Sequence, residues 1–254
     1  MHMKPKIEIC VDSLESAFIA EKSGADRLEL CAELSVGGLT PSMGLINQVN
    51  KHIGLPVNIM IRPRSGDFCY TELEFDTMLE NVKSIRNEYP NVNGFVTGIL
   101  TSNGEIHLER MAQLIELAKP IPVTIHRAFD MTQDLMESLE VCKSLGIERV
   151  LTAGFANKAI DGIKNLLLLK EAAGDDIIIM PGSGVSSANV KELVSTVKPQ
   201  EIHMSAKQKI ISKMKNKRDD IQMGRTEGAE ELIRYVTNGE EIATVDKMLQ
   251  EVSL

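Results

Sequence analysis

The chain has 254 residues, 43% of them apolar and 25% charged, the proportions of a globular protein long enough to bury a full core. These values exclude a disordered chain, a collagen-like repeat and a disulfide-stapled miniprotein. A net charge of -8, from 28 Lys+Arg against 36 Asp+Glu, argues against nucleic acid, whose phosphates demand a basic footprint; a metal ion or a small anionic molecule is the expected partner.

Residues 6–11 read as a strand, Asp12-Ser13 as an N-cap, and 14–22 as a helix that stops at Gly24. The same β-then-α pattern recurs at 27–31 with 41–52, at 57–61 with 73–88, and at 95–100 with 108–118. It continues at 123–126 with 134–145, at 149–152 with 160–172, and at 177–180 with 187–197. An eighth strand is expected at 201–204, then an irregular insertion over about residues 205–238, then a last helix at 240–252. Eight such units predict an α/β fold, a single (β/α)8 TIM barrel filling residues 1–254 as one domain. A doubly wound open sheet would carry a Gly-rich fingerprint after the first strand, and none is present.

The four cysteines, Cys10, Cys31, Cys69 and Cys142, lie far apart without a CxxC pair, so reduced thiols in a cytoplasmic protein are expected. No apolar run approaches a membrane-spanning length, and the N-terminus lacks a basic segment followed by an apolar one. A membrane partner and export are therefore not expected. Lys207, Lys209, Lys213, Lys215, Lys217 and Arg218 form a basic cluster in the insertion, read as a solvated loop, with a lid over an anionic ligand as the sharper alternative.

Strand parity assigns the barrel interior. Where aliphatic side chains face the helices, the alternate residues point inward, which sends Glu8, Cys10, Glu29, Cys31, Asn58, Met60, Arg62, Thr124, His126 and His203 into the barrel. An interior built only for packing would carry Val, Ile and Leu, so this set marks a site; the competing reading is a structural network in which Glu8 and Glu29 satisfy Arg62. The loops after the strands add Arg64 and Asp67, then Arg127 and Asp130, then Gly182-Ser183-Gly184 before a helix, and Ser205. Arginines there can grip an anion, and Gly182, Gly184 and the helix N-terminus could cradle one.

The segments 8–13 (EICVDS), 28–31 (LELC), 37–42 (GGLTPS), 62–64 (RPR) with 66–68 (GDF), and 126–130 (HRAFD) together resemble the CutC family, named as copper homeostasis proteins. The likeness continues through Leu151-Thr152, Gly182-Ser183-Gly184-Val185 and His203-Met204-Ser205-Ala206. It departs at Ser65, where a glycine is common, and at Ala153, where relatives often have serine. The resemblance implies a cytoplasmic, homo-oligomeric TIM-barrel protein associated with copper binding or tolerance.

Copper(I) prefers soft donors, and parity turns Cys10, Cys31 and Met60 inward together with His126 and His203; Cys10, Cys31, His126 and His203 are the expected metal ligands. No organic cofactor is expected. The alternative is a lyase or isomerase acting by acid–base chemistry on a small anionic, possibly phosphorylated metabolite. In that reading Glu8, Glu29, Arg62, His126, Arg127 and Asp130 form the catalytic set, with Glu29 or His126 as base and Arg62 and Arg127 as clamps. Arg64, Asp67, Gly182, Gly184 and Ser205 would then hold the ligand.

Overall fold

The computed structural model describes residues 4–89, 92–216 and 232–252. Eight short strands, β1 (Lys6–Val11), β2 (Arg27–Leu30), β3 (Val57–Met60), β4 (Gly94–Thr97), β5 (Val123–Ile125), β6 (Arg149–Thr152), β7 (Ile178–Pro181) and β8 (Glu201–Met204), are parallel neighbours in chain order, and β1 also pairs with β8. The remaining seam runs between β7 and β8, which lie alongside one another. Helices α1 (Leu14–Lys22), α2 (Met43–His52), α3 (Glu72–Glu88), α4 (Leu108–Ala118), α5 (Leu135–Ser144), α6 (Ile163–Ala173) and α7 (Val190–Val197) follow the first seven strands, and α8 (Gly239–Val252) comes last. The TIM barrel expected from the alternation is the observed architecture.

Between strands and helices lies the apolar layer. Ile7, Ile9, Leu28, Leu30, Ile59, Val150 and Ile202 point outward from the strands onto Met78, Val82, Met111, Leu166 and Leu193 of the helices, all buried. Burying each such side chain contributes roughly 1.5 to 3 kcal/mol. Local signals set the helix starts: the Ser13 hydroxyl accepts the Ser16 amide, and Thr71 with Glu74 forms a capping box on α3. Helix α2 begins two residues later than predicted because the Ser42 hydroxyl takes the cap, accepting the Leu45 amide at 3.2 Å.

Residues 217–231 of the insertion lie outside the described residues. Its two ends form an antiparallel ribbon, β9 (Lys207–Ile211) with β10 (Ile233–Thr237), which packs beside α1. Both strands are largely exposed, so their lysines and arginine sit where apolar alternation would otherwise announce a strand. Lys217 and Arg218 of the basic cluster lie outside the described residues.

Candidate functional site

Strand register stacks the inward side chains in layers. The lowest is ionic: Arg27 Nε donates to Glu8 Oε2 at 2.5 Å and Arg27 Nη1 to Glu201 Oε1 at 3.2 Å, while Arg149 Nε reaches Glu201 Oε2 at 3.0 Å. Asn58 Nδ2 adds a 2.9 Å hydrogen bond to Glu8 Oε2. Burial pushes the Glu8 carboxyl pKa up, but the His203 hydrogen bond and the Arg27 charge outweigh it and hold it down at about 2. Arg27, Arg149 and Glu201 share the inward parity of Glu29, Leu151 and His203, yet the sequence does not single them out. They stand first in their strands, where charged residues usually read as exposed ends.

In the next layer Cys10, Glu29 and His203 converge. One ligand atom from each lies within 4.8 Å of the others, and all three residues are buried. His203 Nδ1 is 2.9 Å from Glu8 Oε1, which leaves its Nε2 facing Glu29 Oε2 at 3.9 Å. Burial opposes a charged His203, but Glu29, Cys10 and Glu8 raise its pKa well above the ordinary imidazole value. Burial lifts the Glu29 carboxyl pKa, and Glu29 Oε1 has no hydrogen-bond partner among the described residues.

Above this layer the Cys31 thiol donates to Glu29 Oε2 at 3.5 Å. Burial and the Glu29 charge push the Cys31 pKa well up, so the thiol keeps its proton at neutral pH. Gly38 closes over it: a Cβ there would stand 3.0 Å from Cys31 Sγ and 3.4 Å from Met60 Cε. Arg62 fastens this loop, donating from Nη1 to the Val36 and Gly38 carbonyls at 2.8 and 3.0 Å and from Nη2 to the Gly66 carbonyl at 2.9 Å.

The expected network joining Glu8 and Glu29 to Arg62 is therefore not the one observed. Glu29 is level with Asn58 across the β2–β3 ladder, and Arg62, four residues further along, sits about 13 Å higher at about 3.3 Å per residue. Glu8 and Glu201 pair instead with the arginines at the floor.

The remaining mouth residues are held mainly by their own chain. His126 is buried against Phe68, its Nδ1 accepting the Ala128 amide at 3.2 Å, so Nε2 carries the proton of the neutral ring and has no partner among the described residues. Burial and then the Arg62 charge hold its pKa down at about 3. Asp130 accepts the Ala153 and Phe155 amides, the Thr152 hydroxyl and Arg127 Nε at 2.7 Å. Arg127 then reaches Ser183 Oγ at 3.1 Å and the Ala156 carbonyl at 2.9 Å, tying together the loops after β5, β6 and β7. Arg64 is turned outward onto Glu74 and Asp67, while the buried Arg62 Nε has no hydrogen-bond partner among the described residues.

The loop after β7 has local reasons for its glycines. A Cβ at Gly182 would stand 2.4 Å from Leu151 Cδ1, and Gly184 has φ +68°. Helix α7 starts at Val190, and in the turn before it the Ser187 amide and hydroxyl donate to Glu241 at 2.6 and 3.0 Å. The carboxylate near that helix end is the chain's own.

A cavity of about 700 Å³ opens at the carboxyl ends of the strands, with Cys10, Glu29, Arg62, His126, Arg127 and His203 among its walls. Ser183, Gly184, Ser205 and Lys207 also line it, while Arg64, Asp67, Gly182 and Cys31 are not part of the lining. The arrangement offers thiol, carboxylate and imidazole donors to a metal at its base and a neutral imidazole N–H higher up.

The family model that matches residues 5–208 is that of the CutC family. The chain is 39% identical to the human "Copper homeostasis protein cutC homolog" over 246 residues, covering 97% of this chain and 89% of that one. It is 42% identical over 238 residues to the "family protein CutC" of Klebsiella pneumoniae strain 342, covering 93% and 94%. A solved CutC structure from Streptococcus agalactiae superposes with TM-score 0.74 at 34% identity, covering 79% of this chain and 98% of that one. N-(5'-phosphoribosyl)anthranilate isomerase from Pyrococcus furiosus shares only the fold, with TM-score 0.54 at 14% identity.

Proposed function

The chain belongs to the CutC family of copper homeostasis proteins, and on that premise we propose that it binds copper(I) as cargo through Cys10 and Cys31, with His203 as third donor. The observation that carries this reading is the placement of both thiols around Glu29: Cys31 Sγ lies 3.5 Å from Glu29 Oε2, and Cys10 lies in the same cluster as Glu29 and His203. Two thiolates and an imidazole match the softness of copper(I). The donors therefore fit the ion, and the Met60 thioether lies beside Cys31 under Gly38 as a further soft wall.

Binding requires both thiols to give up their protons. Glu29 Oε2 already accepts the Cys31 hydrogen bond, so it is the first acceptor for that proton, and Glu8 fixes the ring of His203 from behind. Free cysteines suit the reducing cytoplasm, where we place the protein as a homo-oligomer. Anaerobic titration of copper(I) against a competing chelator tests the reading. One ion per chain is expected, with affinity lost at least about tenfold in Cys31→Ser and in Cys10→Ser. Unchanged affinity in both variants would overturn it.

A further inference from the structure

The copper reading leaves Glu29 as a proton acceptor and does not use its second oxygen. We propose that Cys10, Glu29 and His203 form a separate coordination mode of the same pocket, a three-ligand centre for a divalent cation of borderline softness, zinc-like in its preferences, whose fourth position opens into the cavity. This inference shares Cys10 and His203 with the copper(I) site but replaces Cys31 by Glu29.

Four observations support it. The three ligand atoms lie within 4.8 Å of one another, and His203 Nε2 stands 3.9 Å from Glu29 Oε2. A tetrahedral site with bonds of about 2.0 to 2.3 Å has edges of about 3.3 to 3.8 Å, so the donors need only a small contraction. Glu29 Oε1 is a buried oxygen without a partner among the described residues, and a cation would answer it. His203 is oriented by Glu8 through Nδ1, and Glu8 is held in turn by Arg27 and Asn58, the carboxylate–histidine support that metal-bound imidazoles require.

Charge and hardness then choose the ion. A carboxylate is a poor ligand for copper(I) and a good one for zinc-like ions. One thiolate and one carboxylate cancel the charge of a dication, so the filled centre is neutral within a buried layer, where a net charge is costly. Three protein ligands with the fourth position open to a 700 Å³ cavity leave room for water or an oxygen-bearing small molecule on the ion.

Cobalt(II) serves as the optical probe, added to reduced, chelator-cleaned protein, with zinc(II) displacing it. The expected result is a thiolate-to-cobalt charge-transfer band with the strong visible bands of a four-coordinate site, at one ion per chain. Glu29→Gln should weaken cobalt and zinc at least about tenfold, whereas Cys31→Ser should leave both within a few-fold while weakening copper(I). Copper(I) added to the cobalt-loaded wild type should discharge cobalt one for one, because both modes need Cys10. The thiolate band of the wild type decides the matter even where a variant does not fold. Absence of the thiolate band, or cobalt and zinc affinities unchanged in Glu29→Gln, would overturn the proposal; cobalt retained with its thiolate band intact after one equivalent of copper(I) has bound would overturn only the copper reading.

Discussion

His203 Nδ1 and Glu8 Oε1 are 2.9 Å apart, a buried hydrogen bond that ties the last strand of the barrel to the first. Glu8 also takes Arg27 and Asn58 on its other oxygen, so one carboxylate serves three strands at once. Removing it leaves Arg27 with Glu201 as its remaining carboxylate and His203 without its support. Glu8→Ala should cost about 3 to 5 kcal/mol, the usual result of breaking a buried ion pair from one side. Urea denaturation of the metal-free protein measures this, and a loss below about 1 kcal/mol would mean that the floor network tolerates the missing charge.

His126 gives a pH dependence whose sign follows from its neutral burial. Its folded pKa of about 3 lies below the unfolded value of about 6.5, so between those values the unfolded chain takes up a proton that the folded chain does not. That contribution to stability is complete above the unfolded value and is lost as pH falls, by about 2 kcal/mol between pH 7.5 and pH 5. His203, with its pKa raised, works oppositely: its contribution is present at low pH and is lost as pH rises through the folded value. His126→Phe keeps an aromatic ring against Phe68 and removes only the acid-sensitive half. On going from pH 7.5 to pH 5 the variant should gain about 2 kcal/mol relative to wild type; parallel urea midpoints at the two pH values would mean that folded His126 titrates normally.

Thiol reactivity reports the cover over Cys31. Cys69 is exposed and the other three cysteines are buried, so a disulfide reagent should modify one thiol quickly in the native protein and the rest slowly. Arg62→Lys replaces a fork reaching three carbonyls by a single ammonium group, and each lost charge-assisted hydrogen bond is worth about 1.5 to 3 kcal/mol. Local opening of the loop should become at least about tenfold easier, seen as a second fast thiol. Cys31→Ser in the same background should abolish that phase.

Parity makes Glu8, Glu29, Cys10, Cys31 and His203 legible in the sequence, because a two-residue period in a parallel barrel separates the helix-facing side from the interior. What parity lacks is height along the strand. Arg62 and Glu29 both point inward, but they lie four residues apart in register, and only pairing between strands fixes that offset. The ribbon at 207–211 and 233–237 is hidden for a different reason: with most side chains exposed, no buried face imposes alternation on its residues. The contact of Ser187 with Glu241, more than fifty residues later, is likewise hidden, because nothing local to the loop after β7 signals it.

Gly38 and its neighbour Gly37 allow the contact with Cys31 to be separated from backbone strain. Both have strongly positive φ, +88° and +90°, a region that costs an L-residue about 1 to 2 kcal/mol, so alanine at either should destabilise the fold by about that amount. Their surroundings differ. A Cβ at Gly37 would meet only Arg62 Nη1, at 3.3 Å, whereas a Cβ at Gly38 would press on Cys31 Sγ at 3.0 Å and on Met60 Cε at 3.4 Å. The thiol can yield only by turning away from the loop, which alters its geometry toward Glu29 and Cys10. Gly38→Ala should therefore weaken copper(I) binding at least several-fold, while Gly37→Ala, matched for strain, leaves it near wild type. Chelator competition on the two variants, each with its melting temperature recorded, separates the effects: equal losses of copper(I) affinity would trace them to the loop backbone, and an unchanged affinity in Gly38→Ala would place the ion away from Cys31.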